Sequence, residues 1–296
     1  MPSMSVVDRL ANIWDASLHR ILRLVSVETA SAVGSFVVRA NVRLHRRDII
    51  AGARRNLAIH RPELTEPEIR AFIWRFIDNV GRFMGEFSVL SRMQEERRIE
   101  LIGAEALKAI DGVEPVVVIG LHTGNWEVFG HPLRDAGLKL ATFYETPPRP
   151  AQERIVLETR REAGWQLLDP SPRGMREAMS LLKQKRVIVI FGDEARNGRL
   201  MAPLFGRPPH ASGNLALGVR LARRTGAKLF IGHCERLEGC RFKAYFSEPF
   251  SLPAEDAGVL ADVAFVNAKI EPIVLANLDR WYYLDDLIAP FEDGKA

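Results

Sequence analysis

The sequence predicts an α/β protein with a mainly parallel central sheet flanked by helices, and with a helical N-terminal region. Two observations predict this class. From residue 99 onward, short apolar runs rich in β-branched residues alternate with helical patterns, which is typical of a parallel sheet with helices on its faces. Before that point, apolar residues recur at helical spacing. We therefore expect a helical region over residues 1–95 and an α/β domain over residues 96–296, packed as one unit.

The predicted strands are short, apolar and bounded by turn residues. They are Val116–Leu121, Leu138–Phe143, Trp165–Leu168, Val187–Phe191, Lys228–Cys234 and Phe242–Phe246. The predicted helices of the same region are Asn125–Asp135, Gln152–Ala163, Gly174–Lys185, Ser212–Thr225 and Ala257–Leu278. In the N-terminal region, a capping box of Thr65 and Glu68 begins a helix that is expected to reach about Leu90.

The first helix, over residues 5–25, combines an apolar stripe with basic flanks. The stripe consists of Val6, Val7, Leu10, Ile13, Trp14, Leu18, Ile21, Leu22 and Val25. Residues 1–60 hold nine arginines and no lysine against four acidic residues, whereas the whole chain has a net charge of only +4. Basic charge beside an amphipathic helix is typical of a protein that lies on an anionic membrane. The alternative is an ordinary surface helix with exposed arginines.

The composition limits the class of protein. A hydrophobic content of 47% and a charged content of 26% are ordinary for a globular protein. We find no apolar run that approaches the roughly 18 residues of a membrane-spanning helix, and no signal peptide. The two cysteines, Cys234 and Cys240, are too few for a disulfide framework and are expected to be buried free thiols, which fits a reducing cytosol.

The most informative stretch follows the strand Val116–Leu121. His122 comes directly after this strand, and Glu127 stands five residues later, with Asn125 between them as the expected helix N-cap. On one continuous helix, residues five apart point about 140° away from each other. The two side chains can therefore meet only if His122 lies in the turn and Glu127 in the first helical turn. Glu127 could then hold one imidazole nitrogen and leave the other free as a base; the alternative is a turn that merely carries a polar pair.

A second buried strand, Val187–Phe191, is followed by a carboxylate, Asp193. Functional groups of open α/β sheets gather at the carboxyl ends of the strands, so Asp193 and His122 share one edge if the two strands are neighbours. A metal-dependent hydrolase is a competing hypothesis, because His131 would share a helix face with Glu127. The chain contains no Walker sequence, dinucleotide-binding glycine motif or Gly-x-Ser-x-Gly elbow.

Together these motifs resemble those of the bacterial lipid A biosynthesis acyltransferases, the late lauroyl/myristoyl transferases of the lysophospholipid acyltransferase superfamily. The mark of the superfamily is a histidine followed five residues later by an acidic residue. The resemblance extends over nearly the whole chain, including the arginine-rich N-terminal helices. Its clearest blocks are Gly120-Leu-His-Thr-Gly-Asn-Trp-Glu127, Phe191-Gly-Asp193, Pro203-Leu-Phe-Gly206 and Asp279-Arg-Trp-Tyr-Tyr283.

The resemblance implies that an acyl thioester, on acyl carrier protein or coenzyme A, donates its chain to a hydroxyl of a membrane glycolipid, a lipid A precursor. His122 would be the general base, and Glu127 would orient it and stabilise its charge, as in a hydrolase triad without the protein nucleophile. The backbone N–H groups of Gly124 and Asn125 are candidates for the oxyanion hole.

The same resemblance supplies candidates for substrate binding. They are Asn125, Arg160 and Asp193. Arg160, or the adjacent Arg161, would bind phosphate or orient the catalytic carboxylate. Asp193 matches the first carboxylate of an Asp-Gln-Asp-like block, from which the chain departs at Glu194 and Ala195.

The implied reaction needs no metal and no cofactor besides the acyl donor. The implied partners are acyl carrier protein or acyl-CoA, a glycolipid acceptor and the membrane surface, but not nucleic acid. The implied location is peripheral, on the cytoplasmic face of the cell inner membrane. Three alternatives stay open: another lipid acceptor, a metal-dependent hydrolase, and a non-catalytic lipid-binding protein, suggested by the departures at Ala195 and at Leu284–Asp286.

Overall fold

The computed structural model describes residues 6–254 and 257–288. The helices of this part are α1 Val6–Leu22, α2 Val27–Leu44, α3 Arg47–His60, α4 Glu66–Glu86, α5 Leu90–Glu95, α6 Ala104–Ile110, α7 Gly130–Asp135, α8 Pro150–Glu162, α9 Pro172–Lys183, α10 Gly213–Thr225 and α11 Val259–Ala276. The strands are β1 Ile99–Ile102, β2 Val116–Gly120, β3 Leu140–Phe143, β4 Gln166–Leu168, β5 Val187–Phe191, β6 Ala195–Arg196, β7 Arg199–Leu200, β8 Lys228–Leu237 and β9 Arg241–Phe246.

Seven strands form one mixed sheet in the order β1-β9-β8-β2-β5-β3-β4, and β6 pairs with β7 separately. Every neighbouring pair of the large sheet is parallel except β8 and β9, which are antiparallel. The predicted class, a mainly parallel α/β sheet flanked by helices, is confirmed. In the centre, β2 lies between β5 and β8, with Gly120 opposite both Phe191 and Gly232. This register places the ends of β2 and β5 side by side.

Strand β2 is fully buried because helices cover both faces of the sheet at this point. On one face, Val117 and Ile119 belong to the same apolar cluster as Phe76 of α4 and Val219 of α10. On the other face, Val118 shares a cluster with Phe83, at the end of α4. Because α4 contributes to both clusters, the N-terminal helices share their apolar core with the sheet.

The predicted elements differ from the observed ones mainly where periodicity is weak. The helix predicted over Asn125–Asp135 is divided into a 3₁₀ turn, Trp126–Phe129, and the short helix α7. Helix α4 ends at Glu86 instead of Leu90, although its capping box forms as predicted. Strand β1, the small β6–β7 hairpin, and helices α3 and α6 were not predicted, because these short segments carry little periodic signal. Both cysteines are buried free thiols, as predicted.

Candidate active site

His122 lies two residues after the end of β2, at the edge of the sheet. Its Nδ1 atom lies 2.7 Å from Oδ1 of Asp193, and its backbone N–H donates to Oδ2 of the same residue over 2.9 Å. A carboxylate can only accept hydrogen bonds, so Nδ1 carries the proton and Nε2 keeps its lone pair. The geometry is that of a histidine base oriented by an acid.

Asp193 is completely buried and accepts a third hydrogen bond, from Nε1 of Trp281, over 2.8 Å. Trp281 is also completely buried, in the C-terminal segment that follows α11. Both oxygens of Asp193 are therefore occupied inside the protein. Asp193 was predicted as a substrate-binding residue, but in the structure it positions His122, because the adjacent strands β2 and β5 bring the two residues together.

Glu127 lies in the 3₁₀ turn and does not orient His122 in this structure. Its two oxygens accept hydrogen bonds from Nη2 of Arg160 at 2.6 Å and from Nε at 3.2 Å. Burial by itself would lower the pKa of Arg160, but the neighbouring Glu127 raises it instead, so the guanidinium keeps its charge. From the sequence, Arg160 or Arg161 was expected either to bind phosphate or to orient the catalytic carboxylate. In the structure it is Arg160 that contacts the carboxylate of Glu127.

Asn125 is also placed differently from the prediction. It is completely buried, and its amide donates to Glu86 over 3.0 Å, so its side chain contacts the protein interior. The backbone N–H groups of Gly124 and Asn125 are also occupied, by the carbonyl of Arg280 and by Cys234. They therefore do not form the predicted oxyanion hole. Gly124 has a φ of +60°, and a Cβ atom there would come within 2.7 Å of the Cys234 carbonyl oxygen, which explains the glycine.

A buried ionic network lies beneath this turn and was not predicted. Glu86 is completely buried and is held by both terminal nitrogens of Arg236, at 2.5 and 2.7 Å, and by the hydroxyl of Ser31 at 2.7 Å. Arg236 also donates to Asn79 over 2.8 Å. One signal in the sequence could have revealed the network: Glu86 is a charged residue three positions after Phe83, in register with the apolar stripe of α4.

His122 opens onto a cavity of about 460 Å³. Two of its lining residues each have a buried polar atom that makes no hydrogen bond within the described part of the chain: Oη of Tyr144 and Oε2 of Glu194. Burial raises the pKa of Glu194 to about 7. The cavity is lined by His122, Thr142, Phe143, Tyr144, Glu145, Arg160, Pro170, Ile190, Phe191, Glu194, Ala195, Arg196, Asn214 and Tyr283.

Aromatic rings surround the imidazole of His122. The ring centroids of Trp126, Phe191 and Tyr283 lie 4.7, 4.6 and 5.0 Å from that of His122. These rings restrict rotation of the imidazole and keep its surroundings weakly polar. The hydrogen bond to Asp193 therefore operates in a partly dehydrated site, where electrostatic interactions are stronger than in water.

The grouping of His122, Glu127 and His131 that suggested a metal site does not form a ligand set. Across residues 6–254 and 257–288, no three His, Cys, Asp or Glu side chains are arranged to hold a metal ion. His131 is buried in α7, and burial lowers its pKa to about 4. It is therefore a neutral core histidine.

Comparison with known protein families decides the assignment. Residues 9–287 match the family described as bacterial lipid A biosynthesis acyltransferase. The chain belongs to this family. It is therefore an acyltransferase that acts on lipid, as the resemblance implied, and not the hydrolase or the non-catalytic protein considered as alternatives.

The chain also resembles individual solved structures, at low sequence identity. Among solved structures it is similar to the 1-acyl-sn-glycerophosphate (LPA) acyltransferase from Thermotoga maritima, with 12% sequence identity and a TM-score of 0.38. That likeness covers 86% of this chain and 97% of the other. Among curated proteins, none matches the chain.

Proposed function

We propose that this acyltransferase moves a fatty acyl chain from an acyl thioester, on acyl carrier protein or coenzyme A, to a hydroxyl of a membrane glycolipid, a lipid A precursor. The observation that carries this proposal is the pair of His122 and Asp193 on the wall of a cavity. The pair leaves Nε2 of His122 as a base for the acceptor hydroxyl. No metal and no cofactor besides the acyl donor takes part.

The reaction proceeds by direct transfer in this proposal. His122 Nε2 takes the hydroxyl proton as the acceptor oxygen attacks the thioester carbonyl carbon. The tetrahedral intermediate then expels the thiolate, which receives the proton from Nε2, and the ester is released. Asp193 stabilises the imidazolium that exists between the two proton transfers. Cys234 lies near the turn, but burial raises its pKa to about 12, which keeps its thiol protonated and argues against a cysteine nucleophile.

Glu127 and Arg160 have a supporting part in this mechanism. The two hydrogen bonds that Arg160 donates to Glu127 fix its guanidinium plane on the cavity wall. Arg160 has further N–H groups beyond those two contacts. These groups can bind an anionic part of a substrate, such as a phosphate, next to His122.

Replacement of His122 by alanine is expected to lower kcat by about 10²- to 10⁴-fold, the usual contribution of a general base. The purified protein should be assayed with acyl-CoA and acyl carrier protein donors and a lipid A precursor, and the product measured by mass spectrometry. His45→Ala, an exposed histidine at the end of α2, is the matched control and should retain activity. Equal activity of the two variants would contradict the role of His122 as the base. The acceptor is tested separately, by mass spectrometry of the total lipids of a deletion strain. If every acyl chain of the wild type is still present there, the proposed acceptor is wrong.

We further propose that α1 attaches the enzyme to the cytoplasmic face of the inner membrane. Its outward face is apolar: the exposed fractions are 62% for Leu10, 62% for Ile13 and 59% for Trp14. Its inward face makes polar contacts in the first half of the helix, with Asn12 accepting from the backbone of α8 and Asp15 paired with Arg149. Further along, Leu18 and Leu22 pack against the apolar core. An apolar stripe that points away from the protein is typical of helices that lie in a membrane interface.

The exposed arginines of α1 agree with such attachment. Arg9 and Arg20 are exposed and lie beside the apolar stripe, where they can contact anionic headgroups. In the described part of the chain, no helix is both long and apolar enough to cross a membrane.

The double variant Ile13→Asp/Trp14→Asp is expected to lower binding to vesicles of anionic phospholipid by at least about tenfold, because each large apolar side chain contributes about 1.5–3 kcal/mol when it leaves water. Co-sedimentation measures this binding. The matched control is Val113→Asp, which alters an equally exposed apolar residue in a turn before β2. Unchanged vesicle binding of the double variant would contradict membrane attachment through α1.

A further inference from the structure

Glu194 is a buried acid of the catalytic cavity with no part in the mechanism described so far. It follows Asp193 in the turn between β5 and β6, and only 8% of its surface is exposed. Its Oε1 atom accepts the backbone N–H of Asn214 over 2.7 Å, at the start of α10, and lies 3.4 Å from Arg196. Its Oε2 atom is buried and has no hydrogen-bond partner among the described residues.

A role as a helix cap explains only half of this arrangement. The contact with Asn214 satisfies Oε1, but it leaves Oε2 dehydrated and unpaired, which is unfavourable for a charged carboxylate. A neutral carboxylic acid avoids this penalty, since its proton then resides on Oε2 and Oε1 remains the acceptor for Asn214. Burial, with a further contribution from Asp193, raises the pKa of Glu194 to about 7, so the neutral form is populated near neutral pH.

The active site also needs a hydrogen-bond donor for the carbonyl oxygen of the substrate. The backbone does not supply this donor at Gly124 and Asn125, where the sequence predicted it. The N–H groups of Gly124 and Asn125 are occupied, and so are those of His122 and Thr123. Acyl transfer nevertheless places negative charge on the carbonyl oxygen of the substrate, and donors aimed at that oxygen are among the largest contributions to catalysis. An O–H group on the same cavity wall as His122 has the required chemistry.

We propose that Glu194, in its protonated form, is a catalytic residue whose Oε2–H donates a hydrogen bond to the carbonyl oxygen of the bound acyl thioester. This inference rests on the proposed function. As the acceptor oxygen attacks, the carbonyl π electrons move onto this oxygen, and the hydrogen bond from Glu194 strengthens. When the C–S bond breaks, the electrons return to form the ester carbonyl. Glu194 keeps its proton throughout, while His122 carries the proton from the acceptor to the thiolate.

The surroundings of Glu194 allow this protonation state to respond to pH. Burial, the largest effect, and the neighbouring carboxylate of Asp193 both raise the pKa of Glu194. Together they outweigh the hydrogen bond from Asn214 and the charge of Arg196, which lower it. The other titratable groups that line the same cavity are His122, Tyr144, Glu145, Arg160 and Tyr283. Because Glu194 is required in its protonated form, we expect kcat/KM to fall as the pH rises through about 7.

The test compares Glu194→Gln with Glu194→Ala in an assay that follows release of free thiol from acyl-CoA across pH 5.5–9. In Glu194→Gln, the N–H of Asn214 fixes the amide oxygen at the Oε1 position, so the NH₂ group takes the place of Oε2–H. We expect this variant to keep a measurable rate and to lose the decline near pH 7. Glu194→Ala should lose about 10²- to 10³-fold in kcat. Glu145→Gln, the same change at an exposed position of the cavity rim, should keep the decline.

Three outcomes would overturn the inference: wild-type activity in Glu194→Ala, an unchanged decline near pH 7 in Glu194→Gln, or a loss in Tyr144→Phe with none in Glu194→Ala. If instead the wild-type enzyme releases no thiol with any acyl thioester, the proposed function itself fails.

A second measurement does not depend on catalysis. Because folding raises the pKa of Glu194 above that of the unfolded chain, its stabilising effect is lost as pH rises toward and through 7. The urea midpoint of the wild type should therefore fall relative to that of Glu194→Gln between pH 5 and pH 8, and parallel curves would contradict the protonation.

Discussion

Replacement of Asp193 by asparagine is expected to lower kcat by about 10³- to 10⁴-fold while the fold is retained. Two N–H donors, from Trp281 and from the backbone of His122, point at Oδ2. They will hold the amide oxygen at that position, so the NH₂ group must face Nδ1 of His122. The imidazole can then only accept at Nδ1, and its proton moves to Nε2. The nitrogen that should act as the base becomes a donor, and the acceptor hydroxyl cannot be deprotonated.

The acyl transfer assay measures this effect, and far-ultraviolet circular dichroism checks the fold. Asp279→Asn is the matched control, since it makes the same chemical change in the C-terminal segment that carries Trp281, at a residue whose partner Arg75 is more than half exposed. This control should stay within about twofold of the wild type, as expected for a surface ion pair. If Asp193→Asn kept more than a tenth of the wild-type kcat, the assignment of Asp193 as the orienting acid would be wrong.

Replacement of Glu86 by alanine is expected to lower the free energy of unfolding by about 3–5 kcal/mol. Glu86 is completely buried, and it is the carboxylate that both terminal nitrogens of Arg236 contact. Its removal leaves the Arg236 charge in the interior without a counterion and also deprives the amide of Asn125 of its acceptor. Urea denaturation of the purified variants measures the loss.

A double variant separates the buried charge from simple loss of packing. In Glu86→Leu/Arg236→Met both charges are replaced by apolar side chains, so the loss should be much smaller than in Glu86→Ala. The surface control is Glu66→Ala, whose ion pair with Arg54 is about half exposed and should contribute less than about 1 kcal/mol. If Glu86→Ala cost no more than Glu66→Ala, the network would not be a significant source of stability.

Much of the framework of the site could be predicted from the sequence. The apolar runs of β2 and β5 identified two buried strands, and the polar residues after them identified the edge where the chemistry lies. His122 and Asp193 were expected to share this edge if their strands were neighbours. The sequence could not establish that condition, because β3 and β4 lie between the two strands along the chain whereas none lies between β2 and β5 in the sheet.

The partners of the acidic residues could not be predicted from local patterns. The five-residue spacing between His122 and Glu127 suggested a contact, but Glu127 lies in a 3₁₀ turn and meets Arg160 on another helix. The partner of His122 follows a different strand, and the third member of that group, Trp281, belongs to the C-terminal segment. Hydrogen bonds between residues so distant in sequence depend on tertiary packing, which periodicity does not encode.

The contacts of the C-terminal segment have a consequence for the order in which the enzyme matures. Trp281 binds Asp193, the backbone of Tyr282 donates to the His122 carbonyl, and the Arg280 carbonyl accepts from Gly124. A ribosome makes these residues well after α1, because they lie more than 250 residues further along the chain. The group of His122 and Asp193 is therefore completed only after synthesis has passed Trp281, when the helices of the N-terminal region are already made.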